Sequence, residues 1–287
     1  MRYAFIDVQR EYHAVSRLCR CLAVSRSGYY RWCNAEPNRY VEANRRLCEQ
    51  VEQIHYANHQ AYGTRRIKMV LQQQGHRVSR QRVAAAKRLL GLYTQRRRRH
   101  ELTRRSKQQR PKIADRLQRD FRADAPNQVW VADVTNVWTS QGWLQVAAVM
   151  DLYARRIVGW ASGRTANDTL TVAALRNAIR LRRPKAGLIH HSDRGAAYTA
   201  GRYQQLLASH GMLASLSRPA NCLDNAAMES FFSTLKNERT HHEKYATRAE
   251  ARKSVYDYIE RFYNPKRMHS TLGYYSPIQY EKYGNVA

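Results

Sequence analysis

Three acidic residues occupy positions from which their carboxylates could jointly hold divalent metal ions. Asp133 lies inside the apolar run 129–135, where burying a charge is costly unless something balances it. Asp193 lies further along the chain, and 35 intervening residues separate it from Glu229. Mg²⁺ takes hard oxygen ligands, and a pair of such ions about 3.5–4 Å apart can activate a nucleophile and stabilise the leaving group at a phosphodiester. We expect Asp133 to bridge two ions, Asp193 to hold one of them and Glu229 to complete the other.

Polar residues flank Glu229 on both sides. Lys236 follows it by seven residues, so on a helix it lies two turns on and on nearly the same face, where its ammonium group could meet a substrate phosphate. A plain salt bridge is the alternative role for this lysine. Asp224 and Asn225 lie just ahead of the same predicted helix, and we expect them to act as helix caps.

The composition points to a polyanionic partner. The 287 residues include 50 Lys and Arg against 22 Asp and Glu, a net charge of +28, and such a surface favours DNA or RNA. A membrane surface is the second candidate, but the chain has no run of about 18 apolar residues and no signal-peptide core. We therefore expect a cytoplasmic protein, associated with the nucleoid when bound to DNA. The five cysteines form no Cys-x-x-Cys pair, which predicts reduced and mostly packed thiols.

The first 93 residues show helical periodicity, in which two short helix-turn-helix units are predicted, 1–37 and 38–93. Ser25 should cap a helix in the first unit. In the second, Ser79 should cap a helix that Gly91 ends. An ordinary helical hairpin with a solvated basic face is the alternative, and the net charge favours DNA binding. The basic residues expected at DNA in the second unit are Arg65, Arg66, Arg80 and Arg82.

Residues 94–118 form a basic linker with few apolar residues. Charge repulsion should keep this segment extended and unpacked until phosphates neutralise it, although a merely soluble tether is the alternative. Its expected DNA-binding residues are Arg96, Arg97, Arg98, Arg99, Arg104 and Arg105.

Residues 119–287 combine strand and helix patterns. Three strands in hairpin order are followed by alternating helix and strand, which predicts a mixed five-stranded sheet flanked by helices, the order of a ribonuclease H-like core. Strands are expected at 128–138, 144–150, 156–161, 187–191 and 212–216, and helices at 168–181, 199–210, 225–238 and 247–263. In that sheet Asp133 would lie mid-strand at the centre, Asp193 at the end of an adjacent strand and Glu229 on a helix packed across them.

Several motifs together resemble bacterial insertion-sequence transposases with a retroviral-integrase-like catalytic core, the product of the second reading frame, OrfB. The resemblance spans nearly the whole chain. It rests on the segments 130–135, 151–160, 190–195 and 224–236, and on the tail 263–277 with its His269-Ser270-Thr271-Leu272-Gly273 run.

This resemblance implies a DDE transposase that uses two Mg²⁺ ions per active site, with Mn²⁺ as a substitute, and whose catalytic residues are Asp133, Asp193 and Glu229. Enzymes of this kind cut one DNA strand at an element end, and the freed 3′ hydroxyl attacks DNA. The helix-turn-helix units would recognise terminal inverted repeats, and Lys236 is the basic residue that follows the glutamate. The implied partners are double-stranded DNA at element ends and targets, further copies of the chain, and an upstream-frame OrfA product or fusion.

The chain departs from the family pattern at a few positions, including Ala85-Ala86-Lys87 in the second helical unit. That departure bears on how the unit reads bases and leaves the three acids untouched. Two other functions fit part of the pattern. A DNA-binding regulator with a silent core would explain the basic helices, and a ribonuclease would share the fold and metals but would not need the helix-turn-helix units.

Overall fold

The computed structural model describes residues 2–34, 39–94, 113–117, 122–217 and 225–284. Some of the residues named above lie outside these ranges: Arg96, Arg97, Arg98, Arg99, Arg104, Arg105 and Asp224, together with Cys222, one of the five cysteines.

The amino-terminal unit consists of three short helices. They are α1 (Arg2–Gln9), α2 (Val15–Cys21) and α3 (Arg26–Cys33). The side chain of Ser25 accepts a hydrogen bond from the Gly28 backbone N at 3.0 Å, which confirms the predicted cap. The sequence patterns do not predict α1 as a separate helix. It contributes the buried Ile6 to a small core with Cys19 and Tyr29.

The second unit consists of the longer helix α4 and a helix pair. They are α4 (Arg39–Ala57), α5 (Thr64–Gln73) and α6 (Arg80–Leu89). Ser79 caps α6 by accepting from the Arg82 backbone N at 3.3 Å. Gly75 and Gly91 have φ of 86° and 62°, so both turns use the left-handed backbone that glycine adopts without strain. The predicted helix-turn-helix elements of this unit are therefore present.

A mixed sheet forms the centre of the remaining chain. Its strands are β1 (Val129–Val137), β2 (Leu144–Asp151), β3 (Arg156–Gly163), β4 (Ile189–Ser192) and β5 (Leu213–Leu216). The spatial order is β3-β2-β1-β4-β5, with β1, β2 and β3 antiparallel in sequence and β4 and β5 parallel to β1. This confirms the predicted five-stranded ribonuclease H-like sheet and places β1 at its centre.

Helices cover both faces of the sheet. Those described are α7 (Asp168–Arg182), α8 (Ala196–Thr199), α9 (Gly201–Ser209), α10 (Ala226–Leu235), α11 (Arg248–Tyr256) and α12 (Pro277–Tyr283). The helix predicted at 199–210 is present as α9, whereas the short helix α8 ahead of it is not predicted from the sequence, and the extended backbone of Ala200 separates the two. The helices α10 and α11 each continue in π-helical geometry, over Lys236–Thr240 and Asp257–Tyr263.

The second helical unit shares a hydrophobic core with the sheet. Ile67 of α5 and Val83 of α6 belong to the same buried cluster as Phe231 of α10 and Phe262. Tyr62 is buried there, and its hydroxyl accepts from the Met268 backbone N at 2.9 Å. Burial of this apolar surface fixes the unit against the part of the chain that contains the sheet.

The cysteines and the described end of the linker differ in part from what the sequence predicts. Of the four cysteines in the described ranges, Cys19 is buried and Cys48 packs against the main core, while Cys21 and Cys33 are exposed, so half of these four are packed. The described end of the linker, 113–117, lies beside β5, where the Arg116 backbone N donates to Ser215 Oγ at 2.9 Å. No helix in the described ranges is long and apolar enough to cross a membrane.

Candidate active site

The pairing of β1 with β4 places two of the three acids side by side. Ala132 pairs in parallel with Ser192, and Asp133 and Asp193 are the next residues on each chain segment. Neighbouring strands lie about 4.8 Å apart, so Asp133, in the middle of β1, and Asp193, just past the end of β4, are neighbours across the sheet. A backbone N–H fixes each of them, because Asp133 Oδ1 accepts from Val134 N at 2.8 Å and Asp193 Oδ1 accepts from Gly195 N at 2.7 Å.

Gly195 is required by the way the Asp193 carboxylate turns back on the chain. A Cβ at this position would lie 2.7 Å from Asp193 Oδ1, closer than real Cβ atoms approach another heavy atom. Any side chain at Gly195 would therefore displace the carboxylate that the short hydrogen bond holds.

Asn225 fastens the start of α10 to the central strand. Its Nδ2 donates to the carbonyl oxygen of Ala132 at 3.1 Å, at the residue before Asp133. The side chain makes no capping hydrogen bond, so the expected capping role of Asn225 is wrong, because the side chain bridges to the sheet. Glu229 follows one helical turn later and hence lies on nearly the same face of α10 as Asn225.

Glu229 carries a carboxylate that has lost part of its solvent. Burial raises its pKa above the ordinary glutamate value. Within the part of the chain that the structure describes, Glu229 forms no ion pair or side-chain hydrogen bond to offset that loss. A half-buried carboxylate without a cation partner is a favourable ligand for a metal ion.

Lys236 lies at the other end of α10 and reaches the central strand. Its Nζ donates to Asn136 Oδ1 at 3.5 Å. Burial lowers the pKa of its ammonium group, while the nearby charge of Asp133 opposes that shift. Lys236 therefore brings a positive charge to the side of Asp133.

Tyr198 is a buried neighbour of both aspartates that the sequence analysis did not assign to the site. Burial raises its pKa well above the ordinary tyrosine value, and the neighbouring Tyr203 and the negative charges of Asp133 and Asp193 add to the effect. Among the described residues its hydroxyl has no hydrogen-bond partner. A lone tyrosine in an Ala-Ala-Tyr-Thr run gives no sequence signal for this position, since only the fold of α8 under β4 brings it there.

The donor set fits a hard divalent cation, although the three acids are not yet gathered around a common point. All three offer carboxylate oxygens, which Mg²⁺ prefers. Nevertheless, no three His, Cys, Asp or Glu side chains in the described ranges stand close enough together to hold a metal ion. Joint coordination thus requires the three side chains to come closer together than they are here. The adjacent histidines His190 and His191 are both buried.

The basic residues predicted for DNA binding in the second helical unit face in different directions. Arg65 and Arg80 are exposed, at the starts of α5 and α6. Arg82 turns toward α4, where its Nη2 donates to Asn44 Oδ1 at 3.0 Å. Arg66 points toward the part of the chain that contains the sheet, where its Nη1 lies 3.8 Å from Glu238 Oε1.

Three family models match the chain and together span most of it. The integrase core domain matches residues 123–222, a second integrase core domain model matches 229–283, and an HTH-like domain matches 42–100. The HTH-like match covers the helices α4 to α6, and the two integrase matches cover the sheet with its flanking helices.

Relatives from bacterial mobile elements are similar over nearly their whole length. An uncharacterised 31 kDa protein of insertion element IS600 from Shigella sonnei is 42% identical, covering 94% of this chain and 100% of the relative. The transposase of IS904 from Lactococcus lactis is 38% identical, covering 83% and 94%. The transposase InsF of IS3A from Escherichia coli K12 is 35% identical, covering 98% of each chain.

Solved retroviral integrase cores are distant structural neighbours. The HTLV-2 integrase catalytic core domain in complex with magnesium aligns with a TM-score of 0.43 at 15% identity, covering 55% of this chain and 97% of that one. The BIV integrase core aligns with a TM-score of 0.41 at 16% identity, covering 56% and 97%.

Proposed function

The chain belongs to the family of bacterial insertion-sequence transposases, DNA-binding polynucleotidyl transferases with an integrase core domain, and from that premise we propose that it cuts and joins the ends of its element by metal-dependent strand transfer. The observation that carries the proposal is the convergence of Asp133 and Asp193 on adjacent strands beneath a helix that presents Glu229.

We assign Asp133, Asp193 and Glu229 as the ligands of two Mg²⁺ ions, which Mn²⁺ can replace. When bound, such a pair activates an attacking oxygen and stabilises the leaving oxygen of a phosphodiester. The chain itself supplies the orientation of the ligands. Backbone N–H groups donate hydrogen bonds to the Asp133 and Asp193 carboxylates. The hydrogen bond from Asn225 to the Ala132 carbonyl oxygen fixes the start of α10 next to β1.

Lys236 is proposed to contact the substrate phosphate. Its ammonium group lies beside Asp133 and contacts the Asn136 amide at the long distance of 3.5 Å, so it retains capacity for another acceptor. A lysine ammonium is a compact charge with three donors, which suits a phosphate oxygen.

The helical units and the linker are proposed to bind DNA. The exposed Arg65 and Arg80 open the helices of the second unit, and the basic residues 96–99, 104 and 105 would neutralise the backbone of terminal inverted repeats or target DNA. Joining two element ends brings two sites together, which favours several copies of the chain on DNA and leaves room for an OrfA partner or fusion. A cytoplasmic location, at the nucleoid when DNA is bound, stays a prediction.

The direct test of this function is an assay with oligonucleotide duplexes that carry the ends of the element. The purified chain is expected to nick the duplex and join the 3′ hydroxyl to a second DNA in Mg²⁺ or Mn²⁺, and to do neither in EDTA. Binding without any nicking or joining, at all metal concentrations, would instead identify a DNA-binding regulator with a silent core.

The raised pKa of Glu229 predicts that Glu229→Gln stabilises the metal-free protein at neutral pH. Because the folded state holds this proton more tightly than the unfolded state, wild-type stability falls as pH rises above the ordinary glutamate pKa. The amide carries no such penalty, so its melting temperature should exceed that of wild type at pH 7, and the gap should close toward pH 4.

Thermal unfolding with and without Mg²⁺ measures both parts of this prediction. Mg²⁺ at 100 times its dissociation constant should stabilise wild type by about 2.7 kcal/mol and the variant by much less. Glu52→Gln, an exposed change of the same charge on α4, serves as the control. Equal responses of Glu229→Gln and Glu52→Gln would count against Glu229 as a ligand.

A further inference from the structure

A cavity of about 160 Å³ lies between the second helical unit and the part of the chain that contains the sheet, α10 and the tail. Polar and charged groups line most of it, and three arginines come from three separate segments: Arg66 from α5, Arg155 from the turn between β2 and β3, and Arg267 from the tail. The segments that carry Arg155 and Arg267 belong to the motifs of the sequence for which the catalytic proposal gives no role.

Positive charge in this cavity exceeds the negative charge that the chain supplies. Glu238 is engaged with Arg267, which donates to it from Nε and Nη2 at 2.7 Å each. It also accepts from the Tyr258 hydroxyl at 2.8 Å. Arg66 stands 3.8 Å from the same carboxylate. One carboxylate thus serves two guanidinium groups.

Arg155 has no acidic partner among the residues that the structure describes. It donates a long hydrogen bond of 3.5 Å from Nη1 to Thr271 Oγ1. The pKa of His269 lies far below the ordinary value, because burial and then the charges of Arg267, Arg66 and Arg155 disfavour its protonated form. A neutral His269 adds no charge, so the cavity keeps an excess of positive charge.

Small hydroxyl side chains surround the opening of the cavity. Ser230 of α10, Ser270 and Thr271 are exposed and line it, while Arg267 and His269 are buried deeper. Guanidinium groups at the floor and hydroxyl donors at the rim are the groups that recognise the oxygens of a phosphate. The volume admits a single tetrahedral oxyanion with a few waters.

We infer that this cavity, formed by Arg66, Arg155 and Arg267 with Ser270 and Thr271, binds a backbone phosphate of the DNA on which the chain acts. The inference rests on DNA being the substrate. DNA is favoured over a free phosphate because the cavity opens beside α10, the helix that also carries Glu229 and Lys236, and because its wall includes a residue of the helix-turn-helix unit. A phosphate held there would fix the duplex against both halves of the chain at once.

Arg155→Gln in the full-length chain tests the inference. Binding of a labelled duplex of arbitrary sequence, in EDTA and at several KCl concentrations, should weaken about tenfold at low salt. The slope of log affinity against log salt should become shallower by about one contact, near 0.9. Arg155→Lys should recover most of the slope. Because neither metal nor strand transfer enters this measurement, its result is independent of whether the catalytic proposal holds.

Arg176→Gln is the matched control, since Arg176 is exposed on α7, which packs on the other face of the sheet. An unchanged slope in Arg155→Gln, or the same change in Arg176→Gln, overturns the inference. Arg267→Gln is avoided because it would leave Glu238 buried without its main partner.

A second arm separates DNA from free phosphate. Melting of the DNA-free chain in potassium phosphate and in KCl of equal ionic strength should show extra stabilisation by phosphate in wild type and none in Arg155→Gln. That result together with an unchanged DNA slope would identify a site for a small phosphate compound and would overturn the assignment to DNA.

Discussion

Asp133→Asn is expected to reduce metal-dependent strand transfer by about 10³-fold or more while leaving DNA binding within a few-fold of wild type. The expectation follows from the loss of one of the three carboxylates proposed to hold metal, since metal stabilisation of the transition state amounts to several kcal/mol and each 1.36 kcal/mol is a factor of ten in rate. Asp193→Asn and Glu229→Gln should behave alike. Binding should persist because the acids belong to the sheet and to α10, whereas the exposed Arg65 and Arg80 belong to the helices α5 and α6 of the second unit.

The measurement is joining of radiolabelled element ends, run beside a gel-shift titration of the same DNA. Asp124→Asn is a suitable control, because Asp124 is exposed ahead of β1 and the change of charge is identical. Strand transfer near the wild-type rate in any one of the three variants would remove that residue from the proposed active site. Loss of DNA binding in parallel with loss of transfer would point to misfolding instead of lost metal.

Arg182→Ala is expected to destabilise the fold by about 3–5 kcal/mol, the cost of leaving a buried charge without its partner. Arg182 Nη2 lies 3.0 Å from Asp151 Oδ2 and 2.7 Å from Glu281 Oε1, and the Asp151 side chain is 0% exposed. Burial already raises the pKa of Asp151 against the hydrogen bonds that lower it. Without the arginine, the salt bridges that join α7 to β2 and to α12 are lost.

Urea unfolding at two pH values checks this prediction. The deficit should be large at pH 7 and smaller near pH 5, because the stranded Asp151 carboxylate is neutralised by taking up a proton as pH falls. Arg176→Ala, on the exposed side of α7, should change stability by no more than about 0.5 kcal/mol. A deficit for Arg182→Ala as small as that of the control would show that the network contributes little.

The sequence predicts the sheet and its order because strand and helix periodicities there are long and uninterrupted. The three acids follow from the same logic: Asp133 is conspicuous as a carboxylate inside an apolar strand, and the strand order brings Asp193 beside it. The break at Ala200 escapes such reasoning, because its composition is helical and only the extended backbone divides α8 from α9.

The contacts between distant segments could not be predicted. Asn225 precedes a helix and resembles a cap, yet its amide hydrogen-bonds to Ala132, 93 residues away in sequence. Arg66 lies in a basic segment of the second helical unit, and only tertiary packing places it beside Glu238 and in the arginine-lined cavity. The local sequence pattern predicts the helix or strand on which a residue lies. The contacts of its side chain depend on which residue of another element lies next to it.

The most direct test of the central assignment is Asp193→Cys, assayed for strand transfer in Mg²⁺ and in Mn²⁺. A thiolate is a poor ligand for Mg²⁺ and a better one for softer ions. If Asp193 binds the catalytic metal, the variant should be inactive in Mg²⁺ and regain substantial activity in Mn²⁺, while Asp193→Ala stays inactive in both. Full activity of Asp193→Cys in Mg²⁺ would contradict direct coordination by this residue and with it the proposed active site.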